Sequence, residues 1–151
     1  MAKVLIVYGS TTGNTQRVAE MIAAYLVEKQ HEGEVKNVVR ALPDELGNGY
    51  DLTLLGSSTW GEDEIEFQDD FDPFYRELDT AKQLQGKKVA LFGCGDSSFI
   101  HFCGAVDLLE LKMEDLDADV IGESLRIDGD PEEAAEEIAA WAEMVERSIR
   151  P

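Results

Sequence analysis

Val4-Leu5-Ile6-Val7-Tyr8-Gly9-Ser10-Thr11-Thr12-Gly13-Asn14-Thr15 is the stretch that decides how the chain folds. Its apolar run from Val4 to Val7 lacks the strict alternation of a strand with one wet face, and reads as a strand buried on both. Gly9 and Ser10 close the run. After Gly13-Asn14-Thr15, the residues Val18, Met21, Ile22, Tyr25 and Leu26 recur at the spacing of a helix with one apolar face. A strand needing cover on two faces and a helix offering a single stripe are the alternating parts of a helix-wrapped parallel sheet.

The alternation continues to the end of the chain. Apolar runs at Leu52 to Leu55 and Val89 to Phe92 are each closed by Gly or Ser; weaker strands fit Glu34 to Val38 and Val120 to Ile127, where Gly122 implies a bulge or bend. Phe71, Phe74 and Leu78 mark a short helix, and Val106, Leu109, Met113 and Leu116 a longer one. In the last helix Asp130 can cap, Pro131 suits the first helical position, Glu133 completes a capping box, and Ile138, Trp141, Val145 and Ile149 form the stripe. Right-handed crossovers then give an α/β fold, a doubly wound five-stranded parallel sheet with helices on both faces. No repeat or linker divides it, so residues 1–151 read as one domain. Ligands of such sheets sit beyond the carboxyl ends of the strands, which directs attention to the segments after the first, third and fourth.

With 151 residues and 44% hydrophobic content the chain can bury a core without disulfides or a structural metal. Cys94, Cys103, His31 and His101 are its only cysteines and histidines and form no spaced zinc set; a reducing, cytoplasmic setting is expected. The apolar runs are far too short to span a bilayer. The formal net charge is -19, from 32 acidic and 13 basic residues, and such a surface repels phosphate backbones and anionic lipids, so neither nucleic acid nor membrane is an expected partner. The acidity is either a solvated surface or a docking face for basic proteins, and composition leaves both open.

The segment Gly9 to Thr15 joins strand to helix, where free N–H groups and the helix dipole attract an anion. Ser10, Thr11, Thr12 and Thr15 add hydroxyl donors. The P-loop spacing G-x-x-x-x-G-K-[ST] is absent, as is a G-x-G-x-x-G dinucleotide fingerprint, and no Lys lies between Gly9 and Thr15. One terminal phosphate held by neutral donors suits this loop; so does a capped turn with no ligand. Ser57-Ser58-Thr59-Trp60-Gly61-Glu62 reads as a second loop whose Trp either stacks on a planar ligand or lids the sheet edge. The third, Gly93-Cys94-Gly95-Asp96-Ser97-Ser98-Phe99-Ile100-His101-Phe102-Cys103-Gly104, brings glycines and aromatic rings to the same crevice. Ile100 stands where a Cys-x-x-x-x-x-Arg phosphatase loop needs its Arg, so Cys94 reads as a small apolar wall. Together the loops imply a flat, phosphorylated ligand.

Val4 to Thr15, Ser58-Thr59-Trp60-Gly61, Phe92 to Ser98 and Phe102-Cys103-Gly104-Ala105-Val106-Asp107, in that order, resemble the short-chain flavodoxins of sulfate-reducing bacteria over essentially the whole chain. The strand order 2-1-3-4-5, for which flavodoxin is itself the standard example, comes from the family rather than from the residues. The resemblance implies non-covalent FMN, with Ser10, Thr11, Thr12, Gly13, Asn14 and Thr15 around its phosphate and Ser58 and Thr59 near phosphate and ribityl chain. Trp60 is implied on the inner flavin face and Phe99 on the outer. Gly95, Asp96 and Cys103 would present backbone groups to the polar edge of the ring, with Cys94, His101 and Phe102 beside them.

The implied activity is not enzymatic. It is that of a low-potential one-electron carrier, a monomer working mainly between semiquinone and hydroquinone and docking basic reductases, hydrogenases or cytochromes. The Gly61 carbonyl is implied to turn toward the flavin N5–H, a flip that glycine eases. Glu62, Asp63, Glu64, Glu66, Asp69, Asp70 and Asp72 add negative charge; a unit charge about 10 Å away in water contributes roughly 0.4 kcal/mol before screening, so the cluster lowers the potential by on the order of 100 mV. Phe99 replaces the usual Tyr and His101 a frequent aromatic, so a pH-dependent potential traceable to His101 is expected; an unchanged profile in His101→Phe removes the idea. Two rivals rank below. An FMN-dependent quinone reductase needs a substrate pocket, and usually a dimer, that a short uninserted chain does not offer. A phospho-receiver domain needs acidic residues where Gly9-Ser10 stand and an Asp among Ser57-Ser58-Thr59.

Overall fold

Val4, Leu5, Ile6 and Val7 are all completely buried, so the strand they form is covered on two sides. The computed structural model describes residues 2–10, 13–60, 66–67, 70–95 and 103–150, with Trp60, Glu66 and Phe67 described by their backbone. In chain order the elements are β1 (Lys3–Gly9), α1 (Asn14–Glu28), β2 (Glu32–Asn37), β3 (Leu52–Trp60), β4 (Glu66–Phe67), α2 (Phe71–Glu77), β5 (Lys88–Gly95), α3 (Gly104–Asp115), β6 (Asp119–Val120), β7 (Leu125–Asp128) and α4 (Ala135–Ser148). The parallel order is β2-β1-β3-β5 followed by β6 and β7, both paired with β5. This is the expected 2-1-3-4-5 order with its fifth strand in two pieces. The break falls at Gly122, whose φ of +59° few other residues adopt. The short β4, antiparallel to β3, has no counterpart in the sequence reading.

Alternate residues of each central strand face opposite ways. Val4, Ile6, Leu54, Ala90 and Phe92 pack with Val18, Ile22 and Leu26 of α1 and Ile138, Trp141 and Val145 of α4. Leu5, Val7, Leu55, Val89 and Leu91 pack with Phe71 and Phe74 of α2 and Val106, Leu109 and Met113 of α3. Two glycines set how closely these layers meet. Gly56 lies beside Phe92 in the ladder, and a Cβ there would fall 2.2 Å from the ring's Cε2 and Cζ. At Gly93 a Cβ would come 2.5 Å from Val106 Cγ2 and 2.7 Å from the Ser57 carbonyl oxygen, so glycine lets the first turn of α3 press onto β5.

The sequence reading ends the central strands too early. β3 runs through Ser57, Ser58 and Thr59 to Trp60, and β5 through Gly93 and Cys94 to Gly95. Ser57 pairs with both Gly9 and Gly93, and Ser58 with Cys94. Hydroxyl residues and glycines look like loop, yet the ladder persists wherever a neighbouring strand can take each backbone N–H and C=O. Similarly β2 stops at Asn37, whose side chain accepts from Val39 N–H and turns Val38 into a 3₁₀ segment. Asp130 caps as expected, accepting from Glu132 N–H at 3.0 Å. The expected capping box is not what forms: Glu133 contributes its backbone N–H, which donates to the Asp130 carbonyl at 3.1 Å, rather than its carboxylate. The turn Pro131–Ala134 is 3₁₀, and α geometry starts at Ala135.

Candidate functional site

Gly9, the last residue of β1, stands beside Ser57 of β3, which pairs in turn with Gly93 of β5, in the carboxyl-terminal halves of those two strands. Gly13, at φ +93°, precedes α1; its N–H donates to Ser10 Oγ at 3.0 Å and its carbonyl accepts from Arg17 N–H at 2.9 Å. No residue of the first turn of α1 is acidic and, among the described residues, no side chain caps it, whereas α2, α3 and α4 each begin with a carboxylate. The positive end of the α1 dipole is therefore left for an anion from outside the helix.

Thr15 sits in that turn, completely buried, and its Oγ1 has no hydrogen-bond partner among the described residues. A buried hydroxyl left unmet costs about 1–3 kcal/mol. The Cys94 thiol is close enough for Thr15 to favour its anion, but sulfur is a weak acceptor and does not meet the demand. Asn14, half-buried, accepts at Oδ1 from Arg17 Nη2 at 2.7 Å. Arg17 also reaches Glu132 Oε1 at 3.4 Å and Asp130 Oδ1 at 3.6 Å. The hydroxyl and amide donors of this segment are neutral, and Arg17 beside it already faces two carboxylates.

On β3, Ser57 is buried and donates to the Ser58 carbonyl at 2.9 Å, while Ser58 stays half-buried at the edge. Thr59, expected beside the ligand, accepts at Oγ1 from Ala105 N–H at 2.9 Å and so caps α3 from another element. On β5, Cys94 is buried and the Gly95 carbonyl accepts from Gly129 N–H at 3.1 Å. Cys103, at φ +51°, precedes α3, and its Sγ lies 3.8 Å from the Gly93 carbonyl oxygen. Burial pushes the Cys94 thiol up to about 11 and the Cys103 thiol up to about 12. Both side chains are therefore small neutral walls rather than nucleophiles.

Ser10, Gly13, Asn14, Thr15, Ser58, Thr59, Cys94, Gly95 and Cys103 are thus brought to one edge of the sheet. Thr11, Thr12, Gly61, Asp96, Phe99, His101 and Phe102, with the Trp60 side chain, lie outside the described residues. The sequence reading missed Arg17, although three-residue spacing from Asn14 on a helix signals such a pair. It also missed the capping role of Thr59, for which no local signal exists.

Residues 6–141 match the family model described as Flavodoxin. The chain belongs to the flavodoxin family. It is 54% identical over 149 residues to the flavodoxin of Maridesulfovibrio salexigens, covering 99% of this chain and 100% of that one. The flavodoxin of Nitratidesulfovibrio vulgaris is 48% identical over 145 residues, with 96% and 97% covered. Among solved structures, oxidised Flavodoxin 2 from Bacillus cereus superposes with a TM-score of 0.89 at 35% identity, covering 98% of this chain and 100% of that one. This flavodoxin is of the short-chain type, takes FMN as its cofactor and serves electron transport. The residues present fit that cofactor: an acid-free helix start and a buried Thr15 hydroxyl with no partner among the described residues suit a single terminal phosphate. Among the described residues, no helix is long and apolar enough to cross a membrane.

Proposed function

We propose that the chain carries electrons one at a time between basic partner proteins, using its bound FMN between the half-reduced and fully reduced levels. The observation that supports this most is the set of neutral donors at the start of α1, with Thr15 Oγ1 buried there and unmet among the described residues. Bound FMN supplies the one-electron chemistry. Everything else falls to the chain's own groups. Ser10 fixes the turn by accepting from Gly13 N–H, and Asn14, Thr15 and the first N–H groups of α1 hold the phosphate. Ser58 adds a hydroxyl from the adjoining strand. Thr59 works from behind, since capping Ala105 holds the start of α3, and with it Cys103, against β5. Cys94 and Cys103, kept protonated by burial, close the floor without adding charge.

Partner choice rests on charge. A chain with a formal net charge of -19 attracts cationic faces and repels anionic ones. Of the carboxylates between Glu62 and Asp72, Asp70 is exposed, and Asp72 pairs with Arg76 at 2.8 Å, which weakens its share of the field. Glu62, Asp63, Glu64 and Asp69 lie outside the described residues, as does the side chain of Glu66. The test is a titration of apoprotein with FMN and riboflavin, followed by stepwise dithionite reduction under an absorption spectrometer. FMN is expected to bind more tightly than riboflavin, and reduction to pass through a long-wavelength intermediate before bleaching. Failure to take up FMN, or bleaching in one concerted step, rejects the proposal. Electron transfer to a basic acceptor should slow as salt rises.

A further inference from the structure

We propose that Arg17 is a positioning residue for the FMN phosphate, acting by fixing which way the Asn14 amide faces. The inference rests on the reading of Gly9 to Thr15 as the phosphate loop. A guanidinium carries donors only, so the Asn14 atom it meets at 2.7 Å is the carbonyl oxygen, Oδ1. The amide nitrogen, on the other arm of the planar group, is left with both its N–H donors. An asparagine without such an anchor offers either arm to a ligand, and the oxygen arm repels an anion. Arg17 removes that ambiguity.

The anchor is itself braced. Arg17 Nη1 lies 3.4 Å from Glu132 Oε1, and Nη2 lies 3.6 Å from Asp130 Oδ1. Asp130 is held in turn by Glu132 N–H at 3.0 Å. One residue earlier, Gly129 N–H donates to the Gly95 carbonyl at 3.1 Å, tying the connection between β7 and α4 to the end of β5. The guanidinium is therefore steadied from a second part of the fold.

The same two carboxylates decide how Arg17 acts. One positive charge facing two negative ones leaves this corner with a net negative charge, so its long-range pull on a phosphate dianion is cancelled. What survives is the directional bond to Asn14. The Arg17 side chain is 44% exposed, so replacing it leaves the core intact.

Apoprotein variants Arg17→Met, Arg17→Lys, Asn14→Ala and the double variant Arg17→Met/Asn14→Ala are titrated with FMN and with riboflavin, following flavin fluorescence. Arg17→Met is expected to weaken FMN binding by about 3- to 10-fold, the range set by one directional hydrogen bond, and to leave riboflavin binding unchanged. Arg17→Lys, which keeps a donor, recovers part of the loss. In the Asn14→Ala background Arg17→Met has no further effect. The inference is overturned by unchanged FMN affinity in Arg17→Met, by the same loss for riboflavin, which marks a merely structural role, or by the same loss without Asn14, which marks direct charge attraction. If the unaltered protein takes up no FMN, the cofactor site itself has been misassigned, and this inference goes with it.

Discussion

Gly56 is the position where a single methyl group tests the packing most severely. Carbon atoms in non-bonded contact settle at about 3.5–4.0 Å, whereas a Cβ on residue 56 would meet Phe92 Cε2 and Cζ at 2.2 Å. One of them must retreat by more than about 1 Å. The ring has nowhere to go: Phe92 is completely buried and tilted against Trp141, with centroids 6.4 Å apart. Overpacking costs about 1–3 kcal/mol, and a trapped aromatic ring belongs near the top of that range. Intrinsic preference runs the other way, since Ala in a strand gains about 0.5–1 kcal/mol over Gly. The expected balance for Gly56→Ala is a loss of about 2 kcal/mol. With an urea m-value of about 1.5 kcal/mol/M, the apoprotein's unfolding midpoint by circular dichroism should fall by roughly 1.3 M. Gly56→Ala/Phe92→Leu should be more stable than the two single losses add up to, because the shorter side chain relieves the clash. A Gly56→Ala midpoint equal to or above that of the unaltered protein refutes the reasoning.

The other expectations follow from buried polar groups and caps. Thr53, 1% exposed near the start of β3, has a hydroxyl with no partner among the described residues, so Thr53→Val should raise stability by about 1 kcal/mol in the same urea assay. Thr15→Val should likewise stabilise the apoprotein yet weaken FMN binding, and only that opposition of sign marks Thr15 as a ligand group. Thr59→Val, which strips the cap from Ala105 N–H, should cost about 1 kcal/mol by thermal unfolding. Burial lifts the Cys94 and Cys103 thiols from 9.0 to about 11 and about 12, so the unfolded chain ionises first. The stability they contribute is intact below about pH 9 and falls as pH rises toward those values, by about 1.4 kcal/mol per unit per thiol. Urea midpoints at pH 8 and pH 10 check this, and Cys103→Ala should flatten the slope.

What was legible in the sequence was whatever local pattern controls. Val4 to Val7 and Val89 to Phe92 announce strands buried on both faces, Gly122 announces the bend in the last strand, and Asp130-Pro131 announces a capped start. The strand ends were not legible, because Ser57 to Trp60 remain in the ladder only through partners on β1, β5 and β4. The site was half-legible for the same reason. Ser10 through Thr15 are neighbours in sequence, so the chemistry of that segment shows in the residues themselves, and Gly13 N–H does donate to Ser10 Oγ. Thr59 meeting Ala105 across 46 positions, Arg17 meeting Asp130 and Glu132, and Gly93 making way for Val106 depend on tertiary neighbours that no nearby residue reveals.

The break at Gly122 has a bearing on how an open sheet stays apart from its own copies. An unbroken outer strand presents a row of free amides that a second chain can extend into a longer sheet. Here that border is cut into pieces of two and four residues, and the opposite border, Glu32–Asn37, alternates charged side chains with small or apolar ones. Neither margin offers a long flat template, so removing the kink, for example by filling residues 121–124 with β-branched residues, is a direct route to strand-by-strand polymerisation.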